Sequence, residues 1–254
     1  MSHEAGLAKV LESAVKRSVG GEDRVAVMFS GGVDSAVLAA VAEKNCDTLV
    51  LYTIGTPGSL DLESSISSAR SFKAEHKPIE LDEETIVRGY NEVMSALKAV
   101  GMRATKMDGE LGLVVRLCCE AARKDGFESI LCGSGAEELF GGYYSHLKHV
   151  ENGGDLNPLL QKELDGLWEK DLKRNNYVAS LSRVKLVLPF LEKEVVDAAM
   201  AIPGENKING GKRKIALRKA AVLLGVEEET AIREKKAAQY GSGIHKVLEK
   251  ASLA

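Results

Sequence analysis

Val25-Ala26-Val27-Met28-Phe29-Ser30-Gly31-Gly32-Val33-Asp34-Ser35 carries an apolar run that stops abruptly at Ser-Gly-Gly. Apolar positions then resume at Val33, Ala36, Val37, Ala40 and Val41, which is helical spacing. The pattern predicts a buried strand, a tight glycine turn and a helix start. Glycines let backbone approach a ligand closely. A helix N-terminus offers free N–H groups and the positive end of its dipole, so a phosphate suits the turn. Ser30 and Ser35 add hydroxyls, and Asp34 adds a carboxylate able to hold Mg²⁺ beside phosphates. The stretch contains neither Gly-x-x-x-x-Gly-Lys-Ser/Thr nor Gly-x-Gly-x-x-Gly, which excludes the two commonest phosphate loops. Taken alone, it is also compatible with a glycine turn in a domain that binds no nucleotide.

Composition narrows the class. A chain of 254 residues accommodates one large domain, or one domain with an appendage. Its 44% hydrophobic content suits an ordinary globular core. A net charge of -3 with no long basic run argues against a nucleic-acid partner, and 5% aromatic content argues against a base-stacking surface. Cys46, Cys118, Cys119 and Cys132 form no Cys-x-x-Cys pair and no zinc spacing, and read as buried, reduced thiols of a cytoplasmic protein. No apolar run reaches the roughly 18 residues of a membrane span, and the Met1-Ser2-His3-Glu4 start does not resemble a signal peptide.

Along the chain, helical spacing over Leu7–Val19 ends at Gly20-Gly21, ahead of the glycine-loop strand and its helix, which runs to about Lys44. Further strands are expected at Thr48–Ile54, Pro78–Leu81 and Ser129–Cys132, with helices at Asp61–Ala74, Glu83–Val100 and Leu111–Lys124. Alternation of this kind implies an α/β fold, a parallel sheet with helices on both faces and right-handed crossovers. Strand order 3-2-1-4 would place Ser30–Ser35 and the segment after Cys132 on one crevice at the topological switch point. After about residue 153 the pattern turns helical, apart from a short apolar segment, Val187–Leu191. The expectation is a single unit over 1–254, with an α/β part to about 152 and a helical part over 153–254.

A second cluster, Cys132-Gly133-Ser134-Gly135-Ala136-Glu137-Glu138-Leu139-Phe140-Gly141-Gly142-Tyr143, follows the fourth strand. Small residues permit close approach to a nucleotide and the two glutamates offer metal ligands, although alone the pair is equally a solvated turn. Ser30–Ser35 resembles the PP-loop of the ATP pyrophosphatases. The second cluster resembles the Ser-Gly-Glu-Gly-x-Asp-Glu-Leu-Phe-Gly-Gly-Tyr signature of the asparagine synthetase C-terminal domain family. Gly55-Thr56-Pro57-Gly58-Ser59-Leu60-Asp61-Leu62, Leu188-Pro189-Phe190-Leu191-Glu192 and Arg233-Glu234-Lys235 resemble further motifs of that family, in family order.

The resemblance implies an ATP-dependent ligase. A small-molecule carboxylate attacks the α-phosphate of ATP, pyrophosphate leaves, and ammonia or an amine converts the acyl-adenylate to an amide and AMP. It assigns Ser30, Gly31, Gly32 and Ser35 to pyrophosphate, and Asp34 and Glu137 to Mg²⁺. Met28 and Ile54 flank the adenine, Cys132 and Gly133 contact the nucleotide, and Lys235 is the catalytic lysine. Lys212 and Arg213 are weaker phosphate candidates, equally readable as a solvated helix start.

The sequence departs from the family pattern at three places: Ser134 replaces the signature glutamate of the amide-forming step, Glu137 replaces a metal-binding aspartate, and Val187 stands where the family has an arginine. A serine cannot act as a general acid or base near neutral pH. The PP-loop strand begins by about Arg24, so no glutaminase domain is expected ahead of it, and nitrogen would come from free ammonia, an amine or a separate glutaminase. A homodimer is compatible with all of this. Two competing readings are a tRNA-modifying PP-loop enzyme, disfavoured by the missing Cys-x-x-Cys and the acidic balance, and a nucleotide-binding regulator without turnover.

Overall fold

The computed structural model describes residues 2–234 and 237–251. Five parallel strands form one sheet: β1 (Arg24–Met28), β2 (Thr48–Gly55), β3 (Glu75–Glu80), β4 (Ser129–Leu131) and β5 (Lys185–Val187), in the order β3-β2-β1-β4-β5. The helices are α1 (His3–Val19), α2 (Val33–Ala42), α3 (Leu60–Ala69), α4 (Glu83–Ala99), α5 (Lys106–Lys124), α6 (Ala136–Phe140), α7 (Tyr144–Glu151), α8 (Leu156–Leu167), α9 (Lys173–Leu181), α10 (Lys193–Met200), α11 (Ile215–Leu223), α12 (Glu228–Ile232), α13 (Ala238–Gly241) and α14 (Ile244–Lys250). No helix among the described residues is long and apolar enough to cross a membrane.

The α/β expectation holds, and so does the 3-2-1-4 order. Central strands β1 and β2 read as near-continuous apolar runs because helices cover both faces of the sheet. One face packs Val27, Leu49 and Leu51 against α1, α2 and α11. The other packs Ala26, Val50 and Tyr52 against Val115, Cys119 and Ala122 of α5. Edge strand β3 is half-exposed and carries Lys77 and Pro78, residues that discourage pairing with a further strand. Cys118, Cys119 and Cys132 are buried and Cys46 partly so, all as free thiols, and burial pushes Cys119 up to about 12, which makes it inert.

The structure departs from the periodicity in identifiable places. The Val187–Leu191 segment begins as the last residue of β5, so the later part of the chain supplies the fifth strand of the sheet. Helix α5 starts at Lys106, five residues before its apolar stripe, because Thr105 and Asp108 form a reciprocal capping box. Within the helical pattern after residue 153, residues 156–181 form α8 and α9 joined by a π-helical turn at Trp168–Leu172. Helix α1 begins at its Ser2 cap and stops at Gly20, whose φ of 62° belongs to the left-handed region.

Candidate functional site

The turn after β1 is built from its own side chains. Gly31 has φ 71°, and a Cβ there would lie 2.6 Å from the backbone of Ser64 on α3. The position therefore requires glycine on two counts, backbone conformation and space. The Ser35 hydroxyl is buried; it donates to the Gly32 carbonyl at 3.1 Å and accepts from the Ser30 amide at 3.2 Å. Ser35 is thus a brace of the loop, and Ser30 lies 3.4 Å from it, hydroxyl to hydroxyl. Gly32 is the N-cap of α2 with no side-chain cap, so the first amides of α2 have no partner from that quarter.

The segment after β4 forms the opposite wall. A Cβ on Gly133 would sit 3.2 Å from the Cβ of Asp34, so the two glycine-rich turns touch. Asp34 and Glu137 converge on one cation, the ammonium of Lys214. Its Nζ lies 2.9 and 2.8 Å from the two Asp34 oxygens and 2.8 Å from Glu137 Oε1. Burial opposes the charge on Lys214, but the facing carboxylates of Asp34 and Glu137 outweigh it and hold its pKa above the ordinary lysine value. The Lys214 backbone is left-handed, φ 57°, one of two non-glycine residues so placed among those described. Such strain persists where the surroundings over-determine it.

Three guanidiniums complete the cleft, which is lined by Gly32, Asp34, Glu137, Arg213, Lys214, Arg218, Arg233 and Glu234 and leaves about 20 Å³ of free space. Arg213 donates to the Gly142 carbonyl at 2.6 Å and to Glu234. Arg218 donates to Glu234 at 2.9 Å and to the Arg213, Ala231 and Arg233 carbonyls. Arg233 donates to the Ser64 carbonyl at 3.0 Å and the Ser68 hydroxyl at 2.8 Å, and Ser68 donates in turn to the Gly31 carbonyl at 3.1 Å. A roomier open groove, lined by Arg123, Asn176, Arg183 and Lys185, lies at the N-terminal ends of β4 and β5, away from these groups.

The remaining sequence-derived candidates fall around the same crevice. Met28 and Ile54 share one apolar cluster with Ile244 and Leu248 of α14. Cys132 extends the β4–β5 ladder through its amide to the Val187 carbonyl at 2.9 Å, and its thiol is 3.2 Å from the Ser134 hydroxyl. Glu138 does not line the cleft: it is buried, accepts from the Tyr143 hydroxyl at 2.6 Å, and burial raises its pKa. Lys235 lies outside the described residues. Of the two weaker basic candidates, Lys212 is exposed and Arg213 reaches the cleft. Lys214 and Arg218 are the cleft cations that sequence reading missed. The available signal was the Lys212-Arg213-Lys214 run after Gly210-Gly211.

The donor set fits a hard divalent cation. Two carboxylates converge on a single cation position beside a helix N-terminus, and Mg²⁺ is usually held by one or two carboxylates with phosphate oxygens completing its shell. Among the described residues no group of three or more His, Cys, Asp or Glu could hold a metal unaided.

Comparison with known proteins gives a consistent result. The chain matches the family model described as asparagine synthase over residues 6–182 and 148–252. It is 32% identical over 278 residues to the putative asparagine synthetase [glutamine-hydrolyzing] 1 of Methanocaldococcus jannaschii, covering 96% of this chain and 50% of that protein. It is 26% identical over 229 residues to asparagine synthetase B [glutamine-hydrolyzing] of Escherichia coli, covering 84% and 40%. The asparagine synthetase [glutamine-hydrolyzing] of Asparagus officinalis is 26% identical over 229 residues, at 84% and 38% coverage. The chain spans half or less of the length of these curated relatives.

Proposed function

This chain belongs to the asparagine synthase family, and on that premise we propose that it is an ATP-dependent, AMP- and pyrophosphate-forming amide ligase. The observation that carries the reading is the junction of the two glycine-rich turns, where Asp34 and Glu137 share one cation beside the N-terminus of α2 and three guanidiniums. A carboxylate oxygen of the substrate attacks the α-phosphorus of ATP, and the bond from that phosphorus to the bridging oxygen breaks. Pyrophosphate leaves with both electrons of that bond. A nitrogen nucleophile then attacks the acyl carbon, the carbon–oxygen bond breaks, and AMP departs as the nitrogen loses a proton.

The cleft suits the first half-reaction. Charge builds up on the departing pyrophosphate, and preorganised donors stabilise it without reorganising. The amides at the start of α2, Ser30 and Arg213 are the groups we assign to it, with Ser35 and Gly31 fixing the loop. Asp34 and Glu137 would hold Mg²⁺, which when bound neutralises charge on phosphate oxygens. Until a metal takes that position, the Lys214 ammonium holds the two carboxylates together. For the second half-reaction the supply of a base differs from the family pattern. Ser134 has a thiol, Cys132, as its neighbour, and Glu138 is engaged with Tyr143. We assign Lys235 to stabilising charge in that half, and nitrogen to ammonia, in keeping with relatives named glutamine-hydrolyzing.

The test incubates the protein with ATP, Mg²⁺, ammonium and a panel of small carboxylates, aspartate first, and follows pyrophosphate and AMP. Stoichiometric AMP and pyrophosphate are expected, with Asp34→Ala lowering kcat at least a hundredfold, the usual scale for one charge-stabilising group. Release of ADP and orthophosphate would overturn the reaction assignment. ATP binding without turnover on any carboxylate would favour a regulator.

A further inference from the structure

Glu234 sits where a carboxylate is least expected, inside a cluster of cations assigned to a polyanion. Its two oxygens face the guanidiniums of Arg213 and Arg218. Paired guanidiniums of this kind bind phosphate through the same parallel N–H donors that hold a carboxylate. The segment that carries Glu234 is anchored independently of it. Arg233, one residue before, is fixed to Ser64 and Ser68 of α3, and Arg218 also grips the Ala231 and Arg233 carbonyls. The Glu234 side chain itself is 57% exposed, more than any other charged group lining the cleft, against 15% for Asp34 and 36% for Glu137. An ion pair that open to solvent holds weakly. The cleft between these paired side chains is narrow, and a phosphate reaches the N–H donors of Arg213 and Arg218 that hold Glu234 only when its carboxylate leaves them. Glu234 is the charged group that moves at least cost.

We propose that Glu234 is a displaceable internal anion: it occupies the Arg213–Arg218 pair and competes with the pyrophosphate moiety for it. Entry of the phosphates would expel the carboxylate and release the guanidiniums of Arg213 and Arg218 to the ligand. Return of the carboxylate would hasten loss of pyrophosphate after the first half-reaction. The device rests on the proposed pyrophosphate pocket, and the test separates the two.

The experiment is titration calorimetry of inorganic pyrophosphate with Mg²⁺ into the wild type, Glu234→Gln and Glu234→Ala, at low and at physiological salt. Glutamine preserves size and removes charge, so thermal melting of both variants controls for folding. Pyrophosphate should bind Glu234→Gln about tenfold more tightly than wild type at low ionic strength, about 1.4 kcal/mol. The gap should narrow as salt screens the exposed charge. A residue that merely clamps the segment would give the opposite sign, with weaker binding in both variants. Equal affinity within twofold, or weaker binding in the variants, overturns the device and leaves the pocket assignment intact. No binding by any of the three proteins overturns both.

Discussion

Replacing Lys214 with methionine isolates the charge arrangement at the centre of the cleft. Methionine matches the length of the stem and removes the ammonium, so Asp34 and Glu137 lose the cation that lies 2.8 Å from each. Breaking a buried pair by deleting one partner costs about 3–5 kcal/mol. The lower end applies here, because the Glu137 side chain keeps 36% exposure and water screens part of the repulsion. A loss of about 3 kcal/mol corresponds to a fall in melting temperature of roughly 6–12 °C for a chain of this size. Adding Mg²⁺ should then reverse the loss, since a divalent cation can take the position the ammonium vacated. At about 100 times its Kd the ion would restore about 2.7 kcal/mol. The assay is differential scanning calorimetry of the wild type, Lys214→Met and Lys214→Arg across a Mg²⁺ series with a monovalent salt control. Melting of Lys214→Met within a degree or two of wild type, or a Mg²⁺ response no larger than that of the wild type, would mean that Lys214 does not balance these carboxylates.

Two further perturbations test the parts around that centre. Gly31→Ala places a methyl 2.6 Å from the Ser64 backbone at φ 71°, so it should destabilise by more than the ~1–2 kcal/mol of a left-handed alanine and abolish pyrophosphate binding, read by urea denaturation and calorimetry. Lys207 is fully buried with its ammonium 3.0 Å from Asn157 Oδ1, and burial lowers its pKa from 10.5 to about 8. Below pH 8 the unfolded and folded chains both carry this proton and the penalty of burying the charge is complete. Between pH 8 and 10.5 the unfolded chain binds more protons than the folded one, so stability rises with pH by about 3 kcal/mol in total. Lys207→Met should lack that rise and should be the more stable protein at pH 7, whereas parallel urea-denaturation curves for the two proteins would reject the assignment.

The glycine turn was legible because its signal is local. A strand, two glycines and a helix start occupy eleven consecutive residues, and the turn at Gly31 follows from that order, whereas the close approach of Ser64 on α3 does not. The alternation of strands and helices set the α/β class for the same reason. Lys214 was not legible, because its role comes from distance in sequence. It reaches Asp34 from 180 residues away, and nothing in Gly211-Lys212-Arg213-Lys214 says that Arg213 and Lys214 turn inward while Lys212 stays exposed. The left-handed backbone at Lys214 leaves no mark in a lysine. Strand β5 was hidden by its length, since three residues, Lys185–Val187, cannot show a period. The early start of α5 rested on a side-chain cap, Thr105 with Asp108, that precedes the apolar stripe by several residues.

Charge balance in the cleft is a reason to propose that metal and polyanion enter together. Arg213, Lys214, Arg218 and Arg233 supply four positive charges, and Asp34, Glu137 and Glu234 supply three negative ones, so the lining is close to neutral. A near-neutral cleft has little to offer bare pyrophosphate, whose entry would bring several negative charges against Asp34 and Glu137. Two changes shift the balance toward the ligand. Departure of Glu234 uncovers two guanidiniums and leaves four positive charges against two. A divalent cation on Asp34 and Glu137 adds two more where the carboxylates would otherwise repel the phosphates. Lys214 holds those carboxylates together until then, and its strained backbone fixes it between them. On the proposed reading, the arrangement would select a metal-complexed polyanion over a free one, because the charges of its lining are already paired and offer little to a simple anion.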